Sequence, residues 1–189
     1  MKLYVMRHGP AEESSRTGRD GDRALTIDGR DRTRAVARAL AAENEAPLTI
    51  VSSPLVRALQ TAEIVAAVTD LEGRVRQAKD VGRAPGTVEV RREMAPGGHS
   101  LGLVLELARS GRKRAMIVGH EPDLSMLVAR LVGQHLPQGM LKSMVVGIKV
   151  DPPPHDASKD TRAAGESDSG MRTELRFVLD PKTLAWHRG

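Results

Sequence analysis

The chain has no cysteine, and its 189 residues include a single Trp, a single Tyr and a single Phe. The first absence excludes disulfides, thiolate metal sites and a cysteine nucleophile. The second leaves almost nothing on which nucleic-acid bases could stack. Long apolar runs are lacking as well. The opening run, "LYVM", meets Arg7 at once, far short of the roughly 20 residues of a membrane span or the apolar stretch of a signal peptide. These absences point to a soluble, cytoplasmic protein whose partners are neither nucleic acid nor membrane, and which is expected to act as a monomer. Charge is present but not extreme. Lys and Arg number 29 against 24 Asp and Glu, a formal charge of +5. Most of the cations are Arg, which suits bidentate binding of phosphate or carboxylate, so an anionic substrate fits.

A chain of this length supports one domain, since a domain near this size buries roughly 70% of its unfolded surface. Three short aliphatic runs, "LYVM", "LTIV" and "AMIV", alternate with longer helical patterns. That alternation is the βαβ signature of a parallel sheet covered on both faces. After the first run and a polar loop, Thr33, Val36, Ala37, Leu40 and Ala41 fall at helical spacing, with Thr26 as N-cap. Arg30, Arg34 and Arg38 form an i, i+4 stripe there that reads as a solvated face. After "LTIV", Ser53 is the expected N-cap and Pro54 the first helical residue, with Leu55, Ala58, Leu59, Ala62, Val65 and Ala66 along the buried stripe. Residues 70 to 98 offer "RVRQA" and "TVEV" as short strands around a Gly and Pro loop. Leu101, Val104, Leu105 and Ala108 mark a further helix ending near Gly111. "AMIVGHEPDLSMLVARLVG" reads as strand, turn and helix, with Pro122 near the helix start and Gly133 past its end. Two last strands, in "SMVVGIKV" and "TELRFVLD", should pair antiparallel. The stretch between them, 151–170, carries three consecutive prolines and no apolar period, which predicts a flexible loop in which His155 is idle.

Each of these three strands is followed by a residue suited to phosphate: Arg7 and His8 after the first, Arg57 in the opening of the helix after the second, and His120 after the third. In open parallel sheets ligands bind outside the carboxyl ends of the strands, where neighbouring loops converge. Singly, each residue has a plain structural explanation; their shared position gives them a joint one. Arginines clamp phosphoryl oxygens, one imidazole supplies a nucleophile, and a second, protonated, stabilises transition-state charge.

"RHG" after an N-terminal strand, "SSPLVRALQTA" at the second strand-to-helix turn and "VGHEP" at a later one together resemble the histidine phosphatase superfamily, of phosphoglycerate mutase-like fold. Within it the chain is similar to the short SixA-type phosphohistidine phosphatases, through "MRHG" followed by Ala two residues on, the compact "LT..G" segment and the small size. The likeness runs from residue 1 to about residue 150. It implies an α/β fold, a three-layer α/β/α sandwich with a mostly parallel central sheet and an antiparallel edge. It also implies a phosphatase in which His8 is phosphorylated and then relieved by water, with Arg7, Arg57 and His120 around the phosphoryl group and no cofactor or metal. The implied substrate is a phosphohistidine on a protein, such as a phosphotransfer domain.

Many members of the superfamily protonate an alcohol leaving group with a Glu, and "RREMAPGGH" offers Glu93 in about that place. The other reading of Glu93 is a surface carboxylate paired with Arg91 or Arg92. A phosphohistidine substrate relaxes the need for an acid, because imidazole protonated on its remote nitrogen leaves as a neutral molecule. His99 lies by the same Gly-rich turn, near the mouth, and Arg83, Arg91 and Arg92 in the 80–93 segment could shape substrate choice. Other patterns fail. "DGDRALTIDG" begins like a calcium loop, but Ala24 and Leu25 stand where a ligand and the turn glycine belong. No "HExxH" or "GxxxxGK" occurs, and His135 and His187 lack partners at ligand spacing. Two alternatives stay open: a small-molecule phosphomonoesterase or mutase of the same superfamily, and a phosphate-binding interaction module without turnover.

Overall fold

The three aliphatic runs are neighbouring strands at the centre of one sheet. The structure, a computed structural model, describes residues 1–78, 85–151 and 171–189. Its strands are β1 (Lys2–Arg7), β2 (Thr49–Ser52), β3 (Val88–Val90), β4 (Arg114–Gly119), β5 (Val145–Asp151), β6 (Arg172–Leu179) and β7 (Trp186–Arg188). They lie in the order β3-β2-β4-β1-β5-β6-β7. The strands from β3 to β1 are mutually parallel, while β5, β6 and β7 continue the sheet antiparallel from β1. The antiparallel part is thus three strands wide.

Alternation along the strands sends side chains to two apolar layers. Leu3, Val5, Val51, Ala115 and Ile117 face α4 (Ser100–Arg109) and α5 (Asp123–Val132), which bury Leu103, Val104, Leu107, Leu124, Leu127 and Val128 against them. On the other face Tyr4, Met6, Ile50, Met116 and Val118 pack against α1 (Ile27–Ala42) and α2 (Val56–Val68), through Val36, Ala37, Leu40, Ala58, Ala62 and Val65. The result is the three-layer sandwich expected from the alternating pattern.

Local signals explain most boundaries. Thr26 accepts a hydrogen bond from Gly29 N at 3.0 Å and caps α1 as its sequence position suggests. Gly133 follows the last residue of α5 and caps it. "TVEV" contains β3, but "RVRQA" is not a strand: it falls largely within α3 (Leu71–Gln77). Asp70 caps that helix through Gly73 N, Glu72 pairs with Arg76 at 2.6 Å over one turn, and Leu71 is buried, so capping and i, i+4 pairing outweigh the β-branched signal. Ala41 is exposed rather than on the buried stripe of α1. The three-residue β7 was not foreseen. Asp151 ends β5; the rest of the 151–170 segment, with His155, lies outside the described residues, as does Arg83.

Candidate active site

Strand register brings the site together. Arg7 of β1 is level with Gly119 of β4, and Ser52 of β2 with Val118. The residues that follow, His8, His120 and Ser53, therefore leave the sheet side by side at its carboxyl end. Backbone bonds extend the ladders by one step: His8 N donates to Gly119 O at 3.1 Å and Ser53 N to Val118 O at 3.0 Å.

The turn after β1 is pressed onto α1. A Cβ at Gly29 would collide with the Pro10 carbonyl oxygen, and one at Gly9 would stand 2.7 Å from Thr33 Oγ1. Only residues without a Cβ allow this approach. Gly9 N donates to Thr61 Oγ1 of α2 at 3.0 Å, and Thr61 Oγ1 donates to Arg57 O at 2.7 Å, which ties the His8 turn to the helix that carries Arg57.

His8, Arg57 and His120 are 7%, 5% and 4% exposed, and the two imidazole rings lie 5.1 Å apart between centroids at an interplanar angle of 52°. His8 Nδ1 is 2.7 Å from Gly9 O. A carbonyl can only accept, so Nδ1 carries the proton and Nε2 keeps its lone pair. Burial pushes the His8 pKa down to about 3, helped by the charges of His120, Arg57 and Arg7 against the opposing bond to Gly9. Burial, then Arg57, lowers His120 to about 4, with Asp123 and Asp20 acting the other way. Both rings are thus neutral near pH 7. For His120 this is the state of the anion-free site, where a desolvated ring beside a guanidinium gives up its charge; the expected protonated imidazole concerns the site with a phosphoryl group bound.

Each guanidinium is held by part of itself. Arg7 Nη1 donates to Met140 O at 2.7 Å, and Met140 N in turn donates to Glu121 Oε1 at 2.6 Å. Arg57 Nη1 donates to Asp20 O at 2.8 Å and Nη2 to Asp20 Oδ2 at 3.0 Å. The Nε atoms of both arginines, and Nδ1 of His120, are buried without a protein partner among the described residues. Buried donors of this kind are rare in folded proteins unless something is meant to accept from them. An anion with several oxygens, such as a phosphoryl group, is the acceptor that suits two guanidinium N–H groups and an imidazole N–H together.

Glu93 sits in a short 3-10 turn, Arg92–Met94, whose Met94 touches Gly119 at the end of β4. Its carboxylate is engaged by Arg91, with Nη2–Oε1 at 2.7 Å and Nε–Oε2 at 3.3 Å, and Arg91 also bonds Glu106 on α4. The Arg91 guanidinium holds the Glu93 carboxyl below the usual carboxylate range. His99 is exposed at the N-terminus of α4, its ring folded over Gly102. Size alone would direct attention elsewhere: a cavity of about 640 Å³ opens at the opposite end of the sheet, between Lys2, Arg112, Lys149, Glu174 and Arg176. Those four cations are already paired, with Glu45, Glu89, Asp151 and Glu174.

Two residues of the site were not foreseen in these roles. Asp20 lies 37 positions from its partner Arg57, in a segment whose only visible pattern was a failed calcium loop, so spacing carried no signal. Ser53 was expected to cap α2, yet the helix starts at Val56 with Leu55 as N-cap. Ser53 Oγ instead lies 2.8 Å from His120 Nε2.

Comparison with known proteins bears on family and fold. A model of the histidine phosphatase superfamily (branch 1) matches residues 3–80. An uncharacterized protein of Picosynechococcus sp. is 34% identical over 192 residues, covering 97% of this chain and 99% of that protein. The chain belongs to the histidine phosphatase superfamily. Within the superfamily, phosphohistidine phosphatase SixA of Escherichia coli (strain K12) is 28% identical over 155 residues, covering 80% of this chain and 86% of its own. A solved structure of the protein histidine phosphatase SixA with tungstate superposes with a TM-score of 0.74 at 23% identity, over 98% of this chain and 100% of that one. A mycobacterial glucosyl-3-phosphoglycerate phosphatase shares the fold with a TM-score of 0.58 at 21% identity, over 92% and 96%. The superfamily's fold thus serves both a protein phosphatase and a small-molecule one, and fold alone does not choose between them.

Proposed function

We propose that the chain is a cytoplasmic phosphatase that passes a phosphoryl group through His8 and removes it from phosphohistidine on a protein, and that residues 1–189 act as one domain. The observation that carries this reading is the pairing of a buried His8, whose proton is fixed on Nδ1 by Gly9 O, with Arg7 Nε, Arg57 Nε and His120 Nδ1, which are buried without an acceptor among the described residues. In the first step the His8 Nε2 lone pair attacks phosphorus, an N–P bond forms, and the bond from phosphorus to the substrate imidazole breaks. That imidazole, protonated on its remote nitrogen, departs neutral. In the second step water attacks, the His8–P bond breaks, the water's proton ends on a phosphate oxygen, and His8 is restored with Nδ1–H in place. The donors on Arg7, Arg57 and His120 stabilise the charge that spreads over the phosphoryl oxygens.

The choice of phosphohistidine over an alkyl phosphate ester is supported by the state of Glu93. An acid for an alkoxide leaving group must be protonated, and the ion pair with Arg91 keeps this carboxylate ionised. Likeness to SixA supports the same choice, and the presence of a sugar-phosphate phosphatase on the same fold keeps the small-molecule reading as its rival. Equal concentrations of a phosphohistidine peptide, a phosphoserine peptide and a sugar phosphate separate the two. The expected result is strong preference for the first, with turnover abolished in His8→Ala and little changed in Glu93→Gln. Preference for the sugar phosphate together with a large loss in Glu93→Gln would transfer the assignment to a phosphomonoesterase. Undiminished turnover in His8→Ala would end the mechanism.

A further inference from the structure

We infer that Ser53 is a positioning residue whose hydroxyl decides which nitrogen of His120 bears the proton, leaving Nδ1–H to donate to the bound phosphoryl group. The anion in this statement rests on the function proposed above, whereas the tautomer follows from the protein's own hydrogen bonds.

The two histidines of the site face different kinds of partner. Gly9 O can only accept, so His8 has no choice of tautomer. Ser53 Oγ, at 2.8 Å from His120 Nε2, can donate or accept, so its own surroundings must settle the direction. Ser53 is fully buried. Its oxygen already accepts from Leu55 N at 3.3 Å. Among the described residues His120 Nε2 is the one acceptor within reach of its O–H. If Nε2 carried the proton, Ser53 would receive two donors and its own hydroxyl proton would be buried with no acceptor, a state folded proteins avoid. If Nε2 is bare, the chain runs without conflict: Leu55 N–H to Ser53 Oγ, Ser53 O–H to His120 Nε2, and the remaining ring proton on Nδ1.

Nδ1 is the His120 nitrogen that is buried with no partner among the described residues. A lone pair there would repel a phosphoryl oxygen, while an N–H would bind it. The orientation of one hydroxyl therefore separates a ring that holds the anion from one that opposes it. The same constraint explains why Ser53 does not cap α2, since its oxygen is committed to the imidazole and to the N–H of Leu55 rather than to the first turn of the helix.

The test reads the tautomer directly. In protein labelled with ¹⁵N-histidine at pH 7.5, long-range ¹H–¹⁵N correlation spectra, assigned with a His120→Asn control, should show His120 with a protonated Nδ1 and a bare Nε2. In Ser53→Ala the two nitrogen shifts should move towards each other or exchange, and orthovanadate should bind about tenfold more weakly, the effect of losing one hydrogen bond to a charged group. A wild-type His120 protonated on Nε2 would overturn the assignment without any variant. So would a Ser53→Ala protein whose His120 shifts and vanadate affinity are unchanged. Wild-type protein with the expected tautomer but no turnover of a phosphohistidine peptide would instead remove the proposed function and leave the Ser53–His120 relation standing.

Discussion

Lowering the pH from 7 to 5 should destabilise this protein through its two active-site histidines. In the unfolded chain each titrates near 6.5, whereas the folded pKa values are about 3 for His8 and about 4 for His120. Between those limits the unfolded state binds more protons, so stability rises with pH, and acidification removes it. Integrating the proton difference from pH 7 to pH 5 gives about 1.9 kcal/mol for each ring, or about 4 kcal/mol together. That is a large fraction of the roughly 5–15 kcal/mol typical of a folded domain. The window is well chosen, because the carboxylates whose pKa values are lowered by partners, Asp20, Glu45, Glu93, Glu106 and Asp180, release their contributions at lower pH. Urea unfolding at both pH values, on wild type, His8→Asn and His120→Asn, measures the effect. Each variant should recover about half of the pH dependence. If wild-type stability at the two pH values agreed within about 1 kcal/mol, or the variants kept the full slope, the desolvated and neutral state assigned to these rings would be wrong.

Two further outcomes follow from the same geometry. Arg57→Ala should weaken orthovanadate binding by roughly 1.5–3 kcal/mol, the value of a hydrogen-bonded charge, and should also free Asp20 and its loop to earlier proteolysis; unchanged affinity by calorimetry would count against the clamp. Gly29→Ala should destabilise the fold by roughly 1–3 kcal/mol and lower activity as well, because the new Cβ must push Pro10 and the His8 turn off α1; a chemical denaturation midpoint equal to wild type would refute the close approach.

How much of this was legible in the chain depends on whether a feature is local. The central strands, the helices and the cap at Thr26 were readable because apolar period and capping chemistry act within a few residues. The candidate residues Arg7, His8, Arg57 and His120 could be picked out because a place just past a strand, or in the opening turn of the helix after it, is itself a local mark. An additional signal lay unused in α2: Arg57 and Thr61 fall on the buried face with Ala58, Ala62 and Val65, and an arginine inside an apolar stripe needs a buried partner. What the chain did not disclose is long-range. Asp20 meets Arg57 only because the loop before α1 folds across the carboxyl end of the sheet, and Ser53 meets His120 only because β2 and β4 are adjacent and in register. The misreading of α3 has a different origin, since two valine-flanking arginines in a seven-residue helix look alternating until the Asp70 cap and the Glu72–Arg76 pair are counted.

The electrostatics of the site have one order of events built in. Four cationic charges cannot share so small a dry volume without an anion, and the two guanidiniums hold theirs at any ordinary pH. The imidazoles are therefore the groups that yield: the charges of Arg57 and Arg7 add to burial in depressing both pKa values, and His8 keeps an unprotonated Nε2 down to about pH 3. In the proposed reaction, a nucleophile is thus ready before substrate arrives and needs no separate base. A phosphoryl dianion reverses the balance by offsetting the arginines, which raises the proton affinity of both rings at the moment when charge on the phosphoryl oxygens needs support. His8 is then held to its task by Gly9 O, since the N–H fixed on Nδ1 lets it leave phosphorus as a neutral imidazole when water attacks. In the proposed reaction of a phosphohistidine, substrate and enzyme offer the same leaving group, so that neither half-reaction calls on a carboxylic acid that the Arg91 ion pair keeps ionised.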